Sequence, residues 1–158
     1  MTTRAQFVAE AESWIGTKYE MNQACKGAGA DCGRFIYQAL FNCGLISEEI
    51  QKSVIEIFGN DWSCHTDEKK YQAYIFRMLR NAKKLVEGIS YPTLKALPGC
   101  IALVKTRDGR VEDHGGIVVA WPTIIHAVPP KIARADASQH WLWGHKQVTI
   151  FDPFGGDA

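Results

Sequence analysis

The spacing of apolar residues changes partway along this sequence, and that change constrains the fold more than any other feature. In the first half of the chain, apolar side chains recur every three or four positions, which is the period of an amphipathic helix. From residue 100 onward they form short β-branched runs, namely CIALVKT, GGIVVAW, TIIHAV and QVTIFDPF, with turn residues between them. Helices followed by antiparallel strands predict an α+β domain, with N-terminal helices packed on one face of a C-terminal antiparallel sheet.

Two helices near the N-terminus have clear ends in the sequence. The first is predicted over residues 3–15, where apolar residues follow a helical period. The second is predicted to begin at Asp31 and to end at Gly44, which places Cys32 in its first turn. Residues 16–30 lack an apolar period, so they predict a loop that leads into the second helix.

The middle of the chain is predicted to be helical and solvated. Ser47, followed by two glutamates, is typical of a helix N-terminus. A fourth helix is predicted over residues 67–85, with one apolar face formed by Tyr71, Ile75, Met78 and Leu79. No repeat, low-complexity tract or linker interrupts the sequence, so residues 1–158 are predicted to form a single domain.

Composition excludes several classes of function. The chain has 18 Lys and Arg against 17 Asp and Glu, so it lacks the concentrated basic surface that nucleic-acid binding requires. No apolar run is long enough to span a membrane, and charges in the first helical segment argue against a signal peptide. Five cysteines, an odd number without paired spacing, indicate a reducing compartment. We therefore expect a soluble protein that is made in the cytoplasm, binds no nucleic acid and has no membrane span.

Cys32 is the first candidate for chemistry. A thiol in the first turn of a helix faces unpaired backbone N–H groups and the positive end of the helix dipole, and both favour the thiolate. The alternative is an inert thiol that packs beneath the start of the helix, as most buried cysteines do. Position alone favours the inert thiol, so a partner base is needed to make Cys32 a nucleophile.

Two of the five histidines stand at strand ends. His114 precedes the run GGIVV, and His126 lies within TIIHAV. In an antiparallel hairpin these positions can meet at one end of the sheet, where His114 would face the thiol and His126 would orient the His114 ring. Either histidine taken alone is more simply explained as a hydrogen-bonded residue of the sheet. The pair therefore carries the prediction of a nucleophile, a base and an orienting residue.

The segments around Cys32 and the two histidines resemble a known family. GTKYEMNQACKGAGADCGRFI is similar to the segment that carries the nucleophile in NlpC/p60 cysteine peptidases, and DHGGIVV and TIIHAV are similar to that family's histidine strands. The resemblance extends to a subgroup encoded with phage tail genes, which also has segments like LPGCIALVK and VTIF in this order. It covers nearly the whole chain and implies a papain-like version of the α+β fold.

The resemblance implies catalytic roles for three residues. Cys32 would be the nucleophile, His114 the general base and then the general acid, and His126 the orienting residue. The implied substrate is the stem peptide of peptidoglycan, cut at an amide bond, and the implied partners are phage tail proteins. Neither a metal nor an organic cofactor is implied.

Three further residues are implied to line the substrate site. Tyr19 matches the family tyrosine near the nucleophile, either as a wall residue or as a donor to the oxyanion. Asp31 is a good helix N-cap, worth about 1 kcal/mol, and the family aspartate can also receive a substrate amine. Arg34 either contacts a substrate carboxylate or is a solvated side chain. Gly33 and Arg34 depart from the family's usual D-C-S-G, which leaves the shape of the pocket and the bond cut open.

Three functions are consistent with these residues. The leading hypothesis is a phage- or prophage-tail enzyme that cuts cell-wall peptides and helps DNA cross the wall. A second enzyme hypothesis is an interbacterial amidase toxin or an acyltransferase on the same scaffold. The alternative that is not an enzyme is a structural tail assembly protein with the same fold.

Two other groups of residues are weaker candidates. Cys64 and His65, taken with Cys25, do not have the close spacing of a structural zinc site. The segment HWLWGH over residues 140–145 concentrates aromatic side chains, which either receive a glycan or pack over the sheet. Packing is the simpler interpretation of that cluster.

Overall fold

The structure is a computed structural model that describes residues 1–51, 83–89, 96–106, 112–144 and 146–155. It contains the helices α1 (Arg4–Glu12) and α2 (Cys32–Asn42), and a further helix begins at residue 48. Its strands are β1 (Ala24–Cys25), β2 (Gly29–Ala30), β3 (Lys83–Ile89), β4 (Ile101–Val104), β5 (His114–Ala120), β6 (Thr123–Val128), β7 (Lys131–Asp136) and β8 (Val148–Asp152). None of the helices within these ranges combines the length and the apolar character needed to cross a membrane.

Local sequence sets both ends of α1. Thr3 Oγ1 accepts a hydrogen bond from Gln6 N at 3.2 Å, and Gln6 Oε1 accepts one from Thr3 N at 2.8 Å, which completes a capping box. After the last turn, Gly16 has a φ of +93°, a conformation that glycine adopts without strain. The predicted first helix is confirmed, and its last three predicted residues form turns rather than helix.

The second helix begins and ends where the sequence predicts. Asp31 is its N-cap, with a side-chain oxygen that accepts a hydrogen bond from Arg34 N, and Gly44 follows its end at a φ of +66°. α2 packs on β5 and β6. Its buried residues are Cys32, Gly33, Phe35, Ile36, Tyr37, Ala39 and Leu40.

The larger sheet has the strand order β3-β8-β4-β5-β6-β7, and each neighbouring pair is antiparallel. Gly116 of β5 is opposite His126 of β6, and His114 is opposite Val104 of β4. Directly opposed residues project from the same face of a sheet, and alternate residues of a strand do so too. His114 and His126 therefore belong to one face, at the end of the sheet where β5 begins.

Apolar clusters cover both faces of this sheet. One cluster packs α1 and α2 against the face that carries Ile101, Leu103, Ile117 and Ile125. The other covers the opposite face and is formed by Ala102, Val104, Val118, Ile124, Val148, Ile150 and Trp143 with their neighbours. The strand register places the two histidines on this second face, so their rings project away from the helices.

The predicted α+β architecture, with helices on one face of a C-terminal antiparallel sheet, is confirmed. The structure adds β7, which the sequence analysis missed, and a small hairpin of β1 and β2 inside the predicted loop 16–30. Residues 83–85, predicted as the end of the fourth helix, are part of β3, because they pair with β8. A helix does follow Ser47, over residues 48–51. The rest of the predicted fourth helix, with Tyr71, Ile75, Met78 and Leu79, lies outside the described residues.

Candidate active site

Cys32 is the first residue of α2, and its side chain lies at the edge of the first apolar cluster. The residue is 7% exposed. Asp31 holds this helix end in place, because Oδ1 accepts a hydrogen bond from Arg34 N at 2.8 Å and Oδ2 accepts one from Asn22 N at 2.9 Å. The predicted N-cap role of Asp31 is confirmed, and it fixes the backbone that presents the thiol.

Arg34 forms an ion pair with Asp31. Its Nη1 donates to Asp31 Oδ2 at 2.8 Å and to Asn22 Oδ1 at 3.2 Å. The Arg34 side chain is 14% exposed and that of Asp31 is 5% exposed, so the pair is largely removed from solvent. The alternative in which Arg34 is a solvated side chain is therefore wrong. A substrate amine that approached Asp31 Oδ2 would compete with this guanidinium.

Tyr19 lies beside the segment that leads to α2. Its backbone pairs with Ala30 in an isolated bridge, and its N–H donates to Pro130 O at 3.0 Å. The ring packs against the first apolar cluster while keeping part of its surface exposed. Tyr19 thus lies at the edge of the core, on the chain segment that pairs with the residues just before Cys32.

The structure brings His114 and His126 together. Nε2 of His114 lies 2.9 Å from Nδ1 of His126, and both residues are buried. Nδ1 of His114 has no hydrogen-bond partner within the described part of the chain. Since Nε2 is already engaged, Nδ1 is the nitrogen that His114 has available for a proton donor such as a thiol.

Burial keeps both rings neutral. It lowers the pKa of His114 to about 3, with a further contribution from His126, and it lowers the pKa of His126 to about 4. Near pH 7 each ring therefore has one N–H donor and one acceptor nitrogen. A neutral imidazole is the form that a general base needs.

Cys32 lies over the beginning of β5. Ile36, one turn further along α2, packs so closely on β5 that a Cβ added at Gly115 would lie 2.9 Å from Ile36 Cδ1. The carboxylate of Asp113, the residue before His114, is near enough to contribute to the raised pKa of the Cys32 thiol. Among the described residues, no hydrogen bond joins Cys32 Sγ to either imidazole. The structure thus places the thiol near the strand that carries His114, without direct contact between them.

The expectation of a stabilised thiolate is wrong for this state of the protein. Burial, together with the carboxylates of Asp31 and Asp113, raises the pKa of the Cys32 thiol to about 12. Hydrogen bonds from the backbone N–H groups of Gly33 and Cys32 act in the opposite direction and are outweighed. The helix terminus supplies the expected donors, but the surrounding packing removes the water that a thiolate needs.

The aromatic segment before β8 contributes a residue whose role the sequence analysis missed. Trp143 is fully buried in the second apolar cluster, and its Nε1–H donates to His126 Nδ1 at 3.1 Å. The His140 ring packs edge-on against His126, with centroids 4.7 Å apart. Trp141 is 77% exposed and stacks on His140, so the packing interpretation is wrong for this residue and correct for Trp143. Nothing in HWLWGH distinguishes the buried indole from the exposed one, because residues 141–144 form turns, which have no regular inward and outward alternation.

No metal centre is formed by the described residues, since they contain no group of three His, Cys, Asp or Glu side chains arranged as ligands. Cys64 and His65, considered above with Cys25 as zinc ligands, lie outside the described residues. The described site contains a thiol, two imidazoles, an indole N–H and a buried Asp–Arg pair.

Solved structures of NlpC/p60 proteins share this fold. NlpC1 from Trichomonas vaginalis superposes with a TM-score of 0.60 at 15% sequence identity, over 96% of this chain and 44% of that one. NlpC2 from the same organism gives 0.58 at 15% identity, over 96% and 46%. The NlpC/p60 domain of the peptidoglycan hydrolase SagA gives 0.56 at 17% identity, over 94% and 97%.

At these identities the similarity shows a shared fold, and the expected papain-like α+β arrangement is confirmed. The chain spans less than half of the two Trichomonas vaginalis proteins and nearly all of the SagA domain. No protein-family model matches the sequence, and no curated protein matches it.

Proposed function

We propose that this protein is a cysteine peptidase that hydrolyses an amide bond in the stem peptides of peptidoglycan. The observation that carries the proposal is the hydrogen-bonded pair of His114 and His126 at the end of the strand over which α2 presents Cys32. A thiol, a neutral base and a residue that orients the base are the components of thiol-dependent amide hydrolysis. The shared fold of the SagA domain supports peptidoglycan as the substrate class.

The proposed reaction uses Nδ1 of His114 as the proton carrier. Cys32 Sγ attacks the scissile carbonyl while its proton passes to Nδ1, and the backbone N–H of Cys32 donates to the oxyanion. When the intermediate collapses, the C–N bond breaks and Nδ1 returns the proton to the leaving amine. Water then attacks the thioester with the help of the same nitrogen, and the products are a carboxylic acid and the free thiol.

This mechanism requires Sγ and Nδ1 to approach each other at the start of β5. The resting protein holds a neutral thiol and a neutral imidazole that are not hydrogen-bonded to each other. Catalytic hydrogen bonds commonly tighten when a substrate is bound. The His114 ring belongs to the sheet face opposite α2 and is buried there beside Trp143, so this approach requires the start of β5 to rearrange.

We place the substrate between Tyr19 and the Asp31–Arg34 pair. Because Arg34 already neutralises Asp31, this end of the site offers one net-neutral polar group rather than an open carboxylate. It can accept a substrate amine at Asp31 only if Arg34 shifts, or it can offer the guanidinium to a substrate carboxylate. Arg34→Ala should therefore change which bond is cut more than it changes the rate of acylation.

The test is digestion of purified peptidoglycan, with released muropeptides separated by mass. Wild type should release peptides, and Cys32→Ala should release none. Cys25→Ala is the matched control, because Cys25 is an exposed free thiol outside the site, and this variant should match wild type. Equal product from Cys32→Ala and wild type would eliminate the mechanism.

We propose phage-tail association as the finer form of this function, with synthesis in the cytoplasm and delivery to the cell wall by the tail. The segments that resemble the tail-encoded subgroup, LPGCIALVK and VTIF, form β4 and β8 of the sheet. Neighbouring genes for tail proteins, and recovery of the chain in purified tail particles, would support this form. Recovery of the protein only outside such particles would contradict it.

One observation favours a structural tail protein as the second candidate. Cys32 is buried, and its raised pKa makes the resting thiol inert. A protein that keeps the fold for assembly alone would release no muropeptides. Cys32→Ala would not affect the assembly of tail particles. Release of peptides by wild type excludes this candidate.

A further inference from the structure

Trp143 and His114 meet at the same nitrogen of His126. Trp143 Nε1 lies 3.1 Å from His126 Nδ1, and His114 Nε2 lies 2.9 Å from that atom. All three side chains are buried on the sheet face that the helices do not cover. The three groups therefore form a small polar network that the apolar cluster isolates from water.

The indole N–H of Trp143 determines which ring nitrogens of His126 and His114 are protonated. A Trp side chain donates a hydrogen bond and cannot accept one, so Nδ1 of His126 must be an unprotonated acceptor. His126 then has its proton on Nε2. His114 Nε2 faces an acceptor, so it must be the N–H donor of that contact. His114 in turn is left with its lone pair on Nδ1.

Without the indole, the two rings have two equivalent arrangements. His114 Nε2–H can donate to His126 Nδ1, or His126 Nδ1–H can donate to His114 Nε2. The second arrangement places the His114 proton on Nδ1, where it would block acceptance of a proton from a thiol. Both arrangements contain one hydrogen bond, so the ring pair alone does not select between them. Only the first leaves Nδ1 of His126 unprotonated, so that its single lone pair can be shared between the His114 and Trp143 donors.

We propose that Trp143 is a positioning residue that sets the tautomers of His126 and His114 and keeps Nδ1 of His114 unprotonated. This inference deepens the proposed function, and its catalytic consequence depends on that function. The tautomers themselves do not, because they are properties of the resting protein. Burial of both rings supports it, since rings that stay neutral near pH 7 retain a tautomeric choice.

The direct test is long-range 1H–15N correlation NMR on protein with 15N-labelled histidine, near pH 7. In wild type, His114 and His126 should each show one protonated nitrogen, Nε2, and one unprotonated nitrogen, Nδ1. In Trp143→Phe, both residues should shift toward a mixture of tautomers. Trp121→Phe is the matched control and should leave the pattern unchanged, because Trp121 packs against the same cluster but donates to neither ring.

Unchanged tautomers in Trp143→Phe would overturn the inference. If that variant does not fold, the wild-type spectrum decides alone, since protonation of His126 at Nδ1 contradicts a hydrogen bond from Trp143. With peptidoglycan fragments, Trp143→Phe should lower kcat about 10-fold, with KM unchanged, as part of the His114 contribution is lost. Correct tautomers without any hydrolysis would refute the proposed function and leave the role of Trp143 standing.

Discussion

Acid should destabilise this protein through its two buried histidines. His114 and His126 are neutral in the folded state, with pKa values of about 3 and about 4, whereas an ordinary histidine titrates near 6.5. Between these values the unfolded chain binds protons that the folded chain does not bind. The free energy of unfolding therefore decreases as the pH falls below about 6.5, and it stops decreasing once the folded rings are protonated as well.

The size of the effect follows from the pKa differences. At about pH 4.5, two pH units below the ordinary value, each neutral ring costs about 2.7 kcal/mol of stability. The two together set an upper limit of about 5 kcal/mol, because each ring contributes to the environment of the other. A domain of this size has a total stability of about 5–15 kcal/mol, so this loss is a large fraction of the whole.

Urea denaturation followed by tryptophan fluorescence measures this loss. The midpoint should fall steeply between about pH 6.5 and 4.5 in wild type, at constant ionic strength. The double variant His114→Gln, His126→Gln should lose most of that slope, whatever its stability at neutral pH. His140→Gln is a comparison rather than an independent control, because His140 contributes to the lowered pKa values of both rings. Its own ring is only half-buried, so this variant should remove a smaller part of the slope.

A wild-type midpoint that stays constant over this range would show that the two rings are not held neutral by burial. An equal slope in wild type and in the double variant would show that other groups cause the acid sensitivity.

Three further predictions concern the approach of α2 to β5. Gly115→Ala should lower stability by about 1–3 kcal/mol in thermal unfolding, because the added Cβ would lie 2.9 Å from Ile36 Cδ1. In the control variant Gly144→Ala the added Cβ meets only ordinary contacts, so its stability should match that of wild type. Alkylation of Cys32 by iodoacetamide, followed by peptide mass spectrometry, should be slow near pH 7, where the thiolate fraction is on the order of 10⁻⁵, and should rise about tenfold per pH unit. Asp31→Asn keeps a good helix cap but removes a negative charge, so it should accelerate this alkylation. Fast labelling of wild type at neutral pH, or no change in Asp31→Asn, would contradict the account of the thiol.

The sequence predicts those parts of the fold that depend on local interactions. The capping box at Thr3 and the N-cap at Asp31 bond to residues within three positions along the chain, so sequence alone locates both helix starts. The apolar runs of β4, β5, β6 and β8 are buried over most of their length, and burial is what makes a strand visible as a continuous apolar run. The helix starts and the apolar runs together predict helices packed on an antiparallel sheet.

The same reasoning explains why the apolar pattern of the sequence did not predict the edge strand β7. In KIARAD only Ile132 is buried, and the exposed positions carry charged or small side chains. On its outer side the segment 16–19 covers the start of β7, since Gly16 N donates to Ile132 O and Ile132 N donates to Thr17 O. Such a strand has little of the apolar pattern that identifies a central strand, and it forms because β6 offers a backbone to pair with.

Like the fold, the candidate site could be predicted only in part from the sequence. Motif spacing selects Cys32, His114 and His126, and strand register accounts for the contact between the two histidines. The protonation states could not be predicted, because they depend on burial by residues far away in the sequence. The indole that orders the pair comes 17 residues after His126, in a segment whose aromatic residues are more simply explained by packing.

Burial shifts the pKa values of the thiol and of the base in opposite directions, and both shifts disfavour proton transfer from Cys32 to His114. It raises the pKa of Cys32 to about 12 and lowers that of His114 to about 3, so moving a proton from one to the other in the resting state costs about 12 kcal/mol. An enzyme that turned over once per second would have a total barrier of about 17 kcal/mol, and most of it would be used before any bond to carbon formed. A catalytic form must therefore bring Sγ and Nδ1 into contact, so that the ion pair is stabilised as it forms, or admit water to the thiol. In the resting protein Cys32 is protected from reaction, and under the proposed function substrate binding at the start of β5 would have to expose it.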